Sequence, residues 1–196
     1  MLKIIVFLII YYIYANTSLM FYTNSSYDII NDINLKKNEL LVATHDYQFI
    51  DVMMLISEYV KKRINVTFVV DDVFSHHFLK YYLYSIGVSW IKFIYIKGGT
   101  VKKVKDIICN EPVIIYLHRK SESKGIYYML DNKIKLYLCK IKSDYISLDY
   151  KYDNAKFLDI VKQNYGKYYK VEYSQYEFNL NNTPNAFMKN LKNTLY

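Results

Sequence analysis

A histidine and an aspartate, His45 and Asp51, stand where a short apolar run gives way to a segment of helical character, in "ELLVATHDYQFIDVMML" (Glu39 to Leu55). Histidine has an unperturbed pKa of about 6.5, so it can take up and return a proton near neutrality. A carboxylate on the other ring nitrogen fixes the tautomer and stabilises the imidazolium that forms. The pair therefore reads either as a base with its orienting acid, or as a turn histidine beside an acid (Asp46 or Asp51) that caps or opens a helix. The local sequence leaves both open. A second polar block, His118-Arg119-Lys120-Ser121, also directly follows an apolar run, "PVIIYL". It reads as a basic loop facing a ligand or as a solvated loop at a strand end. Other reactive residues point to no site. His76 and His77 are adjacent, so they cannot present both rings on one helix face to a metal. Cys109 and Cys139 fit neither a disulfide scaffold nor a zinc site; they read as one bridge or two buried thiols, and two buried thiols are expected. Gly98-Gly99 marks a turn without the rest of a nucleotide-binding fingerprint.

These residues need a scaffold, and the apolar periodicity predicts one. Strands are expected at residues 40–44, 65–70, 89–95, 113–117 and 134–140, and helices at 47–62, 71–87 and from about 100 to 110. Strands alternating with helices of this length predict an α/β fold, a single domain with a mostly parallel central sheet flanked by helices. If the strands before His45 and His118 are parallel neighbours, both loops open at the same sheet edge, where ligands of such folds gather. The stretch "TNSSYDIINDINLKKN" reads as polar connection. The tail reads as a helix around 154–165, a short strand and a small amphipathic helix after Pro184.

With 196 residues, 24 tyrosines and 10 phenylalanines, the chain can bury a real core, and 5 glycines with 2 prolines are too few for a disordered chain. A net charge of +8 favours an anionic partner. The lysines are scattered and no RNA-binding or zinc motif accompanies them, so nucleic acid is not expected. Near the N-terminus, Lys3 precedes an apolar run from Ile4 to Ala15. As a helix this run spans roughly 18 Å, short of the roughly 30 Å hydrocarbon core. It reads as a signal peptide or a membrane-surface anchor over residues 1–22, followed by an α/β domain over 23–196.

The order of these parts resembles the glycerolipid acyltransferase family, the lysophosphatidic-acid type of phospholipid/glycerol acyltransferases. In that family a strand leads through an N-H-x4-D block into a helix. A strand, a helix ending at Gly and an apolar strand follow, and a further strand leads to an F-P-E-G-T-R-S loop. The counterparts are "LLVATHDYQFIDVMML", "FVVDDVFSHHFLKYYLYSIGVSWIKF" and "VIIYLHRKSESKG", with 74 positions from His45 to Arg119, a spacing similar to the family's. The resemblance covers residues 39–147. Five residues separate His45 from Asp51 where the family has four, Thr44 replaces the Asn, and the Glu and Gly of the third block are missing. What the resemblance implies is a membrane-associated enzyme of phospholipid biosynthesis, and the apolar run after Lys3 adds the expectation of delivery to the endoplasmic reticulum or secretory pathway. The enzyme would move a fatty acyl group from acyl-CoA, a co-substrate rather than a cofactor, to a lysophospholipid or glycerol phosphate. His45 would be the base and Asp51 its orienter, with Asp46 as the alternative orienter; Arg119, Lys120 and Ser121 would hold the acceptor, and no metal would be needed. The alternative is an acyltransferase-like domain without catalysis that binds lipid or a protein partner.

Overall fold

The β-branched and aromatic runs of the chain converge on one sheet. A computed structural model describes residues 26–46, 49–70, 88–96, 98–143 and 166–196. Its strands are β1 (Ser26–Ile30), β2 (Glu39–Thr44), β3 (Val66–Val70), β4 (Ile91–Tyr95), β5 (Val113–Leu117), β6 (Lys135–Ser143) and β7 (Tyr168–Tyr176). They form a seven-stranded sheet in the order β1-β7-β6-β2-β5-β3-β4. The helices among the described residues are α1 (Phe49–Lys62), α2 (Thr100–Ile108), α3 (Gly125–Met129) and α4 (Pro184–Leu195). The five strands expected from the sequence, β2 to β6, are contiguous and parallel, while β7 runs antiparallel to β6 and pairs in parallel with β1. The expected α/β architecture is therefore present.

Alternation along each strand divides the core into two layers. Leu41 and Ala43 of β2, Phe68 of β3 and Ile114 of β5 face α1, which contributes Val52, Leu55, Ile56 and Tyr59. Leu40 and Val42 of β2 with Ile115 and Leu117 of β5 face the opposite layer, filled by Val104 of α2, Ile126 of α3, and Phe187 and Leu191 of α4. With helices on both faces, β2 is buried along all six residues, which is why it reads as an unbroken apolar run.

Three local features differ from the sequence reading. β1 forms inside the stretch read as polar, because Tyr27 and Ile29 alternate with exposed Ser26, Asp28 and Ile30 in a strand too short and too half-exposed to show a period. The basic loop after β5 turns into the single helical turn and a half of α3. Cys139 is buried as expected, but Cys109 is exposed, since it follows α2 on a turn at the surface. The glycine pair does form a turn, with Gly99 at a φ of 84° just before α2. The N-terminal apolar segment, the helix expected at 71–87 with His76 and His77, and the helix expected at 154–165 lie outside the described residues. No helix among the described residues is long and apolar enough to cross a membrane.

Candidate functional site

Parallel pairing of β2 with β5 sets Thr44 opposite Leu117, so the next residues of each strand, His45 and His118, emerge side by side at the carboxyl edge of the sheet. The two chains then diverge: β2 leads to α1 on one face and β5 leads to α3 on the other. Such a divergence opens a crevice between the two strand ends. The Thr44 hydroxyl accepts a hydrogen bond from the Ile141 N–H of β6 (2.9 Å), which anchors the end of β2 on its other side.

His45 is held where its ring can act. Its Nδ1 lies 3.8 Å from Asp51 Oδ2, within ion-pair distance and slightly beyond hydrogen-bond range; its side chain is 24% exposed and that of Asp51 is fully buried. Asp51 sits in the first turn of α1, where the positive end of the helix dipole favours a carboxylate. Nδ1 is thus the ring nitrogen that faces the carboxylate, the arrangement in which a carboxylate can fix the tautomer of an imidazole. The His45 ring also lies 5.5 Å from that of Tyr116 and 6.4 Å from that of His118, measured between centroids. Burial, reinforced by the negative charge of Asp51, pushes the Tyr116 phenol well above its usual range, and the same two causes raise the Cys139 thiol. Both groups stay neutral beside Asp51 at ordinary pH.

The basic loop meets this pair from the β5 side. Arg119 Nη2 lies 3.4 Å from Asp46 Oδ2, and its guanidinium carbon stands 4.7 Å from the centroid of the Tyr196 ring. Asp46 thus pairs with Arg119, and Asp51 is the carboxylate beside His45 Nδ1. The loop is closed by its own backbone: His118 Nδ1 accepts from the Lys120 N–H (3.1 Å), and the Ser121 N–H donates to the His118 carbonyl (2.9 Å). Lys120 is exposed and Ser121 half-buried. Beside the crevice lies a cavity of about 450 Å³, walled by Val69, Ile115 and Leu117 from the sheet, Val101 of α2, and Ile126 and Met129 of α3, with Ser121 and Ser123 at its polar side. That size falls within the ordinary range of small-molecule sites.

The residues singled out in the sequence, His45, Asp51, Arg119, Lys120 and Ser121, thus come to one end of the sheet. Tyr116 and Tyr196 were not anticipated. Tyr116 gives itself away only through strand alternation, which turns it to the α1 layer beside His45, and Tyr196 is 151 positions from His45 with no local signal at all. No protein-family model matches this chain, and no curated protein matches it either.

Proposed function

We propose that the chain is a membrane-associated acyltransferase that moves a fatty acyl group from acyl-CoA to a lysophospholipid or glycerol phosphate. The observation that carries this reading is the pairing of His45 with buried Asp51 at the mouth of a parallel-sheet crevice, with the basic loop of Arg119 and Lys120 beside it and an apolar cavity that the same loop borders through Ser121. In the reaction, His45 Nε2 removes the proton from the acceptor hydroxyl as its oxygen attacks the thioester carbonyl carbon. Collapse of the tetrahedral intermediate breaks the C–S bond, and the imidazolium returns the proton to the departing thiolate. Asp51 holds the reacting tautomer and offsets the imidazolium charge. Arg119 binds the acceptor phosphate through paired hydrogen bonds, Lys120 as a point charge, and Ser121 through its hydroxyl. The family resemblance of residues 39–147 and the apolar run after Lys3 support the membrane-associated setting.

The test is incubation of the purified chain with acyl-CoA and either lysophosphatidic acid or glycerol phosphate, with the acylated product followed by mass spectrometry. Time-dependent product is expected, and replacement of Arg119 and Lys120 by alanine should raise the acceptor KM far more than it lowers kcat, because a phosphate is held alike in ground and transition states. Absence of product with every acceptor sinks the enzyme reading. The ion pair between Arg119 and Asp46 favours a second reading, a lipid- or protein-binding domain without catalysis, since it neutralises the cation expected to take the phosphate. That reading predicts retention of lysophospholipid without turnover.

A further inference from the structure

The end of α4 reaches the crevice from the far side of the sequence. Thr183 caps this helix, its hydroxyl accepting from the Ala186 N–H (3.3 Å), and Pro184 occupies the first turn. Phe187, Met188, Leu191 and Leu195 form a buried stripe against the second core layer, so the helix is fixed in rotation and in height. Its last turn then makes four contacts with the two site loops and the end of β5. Lys192 Nζ donates to the Ser121 carbonyl. The Tyr196 hydroxyl donates to the Leu117 carbonyl at the end of β5 and accepts from the backbone N–H of His45 (3.4 Å). The face of its ring carries the Arg119 guanidinium.

We infer that Tyr196 is a positioning residue, its hydroxyl clamping the loop of the base to the end of β5 while its ring seats the arginine that receives the acceptor. This inference rests on the reading of His45 as base and Arg119 as phosphate ligand. A phenol suits the position because it donates once and accepts at the same oxygen, which is what a bridge between a carbonyl and an N–H requires. Burial raises the Tyr196 phenol far above its usual range, so the bridging proton is retained at any working pH. The aromatic face supplies cation–π attraction without neutralising the guanidinium, so Arg119 keeps its charge for a phosphate that displaces Asp46.

The two parts of the side chain separate by substitution. Tyr196→Phe removes the clamp and keeps the ring: kcat should fall about 10- to 10²-fold, the scale on which small misplacements of a reacting group are felt, with acceptor KM little changed. Tyr196→Leu removes both, and acceptor KM should rise several-fold in addition. NMR of the isotope-labelled full chain gives a readout independent of turnover. The His45 amide proton should shift in both variants, whereas the upfield ring-current shift of the Arg119 side chain should persist in Tyr196→Phe and vanish in Tyr196→Leu. An unmoved His45 amide and unchanged kcat in Tyr196→Phe, or two variants that behave alike in every readout, would overturn the inference. If the wild type turns over no acyl-CoA but the NMR pattern holds, the clamp stands and the acyltransferase reading falls; if neither appears, both fall.

Discussion

His45 is set apart by what faces its Nδ1. Asp51 lies 3.8 Å from Nδ1 and is fully buried, so its charge is little screened and acts on the imidazole at short range. Asp51→Asn keeps the shape but can present an N–H to Nδ1, favouring the wrong tautomer. We expect kcat to fall on the order of 10²-fold or more, with acceptor KM nearly unchanged, measured by steady-state acyl transfer. A second residue-level expectation concerns the thiols. Cys109 is exposed, whereas Cys139 is buried and its thiol is raised by burial and by the charge of Asp51. Since the thiolate is the reacting form, iodoacetamide should label Cys109 in the native chain and spare Cys139 until denaturant is added, as read by peptide mass spectrometry; equal labelling would contradict the burial. At this scale much of the candidate site was legible in the sequence, because His45, Asp51 and Arg119 each lie within a few residues of a strand end that its apolar run announces. Tyr196 was not legible, since its contacts with His45, Leu117 and Arg119 exist only once α4 has packed.

The elements divide along the same line. Strands β2, β3 and β5 are buried on both faces and read as continuous apolar runs, and β4 and β6 were visible as well, so the parallel centre of the sheet was predictable. The edge at β1 was not: β1 spends alternate residues on solvent and exists as a strand because β7 offers it a parallel partner. The order of strands was also beyond local patterning, since the placement of β5 between β2 and β3 is decided by which faces the helices cover. α4 tests how far an element distant in sequence supports the site. Leu191 is fully buried between the helix and the sheet. Leu191→Ala should lower unfolding free energy by about 2–5 kcal/mol through lost burial and the cavity left behind, measured by urea denaturation. Thr183→Ala should cost less, about 0.5–2 kcal/mol, through loss of the helix cap. The reverse order would mean that α4 is held by its terminus rather than by its apolar stripe.

For the molecule as a whole, aromatic content determines the response to alkali. Burial raises the phenols of Tyr59, Tyr116, Tyr173 and Tyr196 well above the usual value of 10.0. Between that value and the raised folded values, the unfolded chain releases these protons and the folded chain retains them. Stability from this source is therefore complete below about pH 10 and is lost as pH rises beyond it, by about 1.4 kcal/mol per group per pH unit. Unfolding should become steep above pH 10, with the buried tyrosines appearing as phenolate at 295 nm only as the fold is lost; full phenolate absorbance in a chain that is still folded would contradict this. The same scaffold, five parallel strands with helices on both faces, brings His45 and Arg119 from positions 74 apart in sequence to neighbouring strand ends. Acyl transfer at that edge is the central proposal, and one comparison tests it most directly: turnover of acyl-CoA with lysophosphatidic acid by the wild-type chain and by His45→Ala, with thermal unfolding of both recorded alongside. The expected result is product from the wild type and a loss of about 10²- to 10⁴-fold in the variant at unchanged unfolding temperature, the range that general-base catalysis contributes. Equal turnover by the two proteins, or none by the wild type, would contradict it.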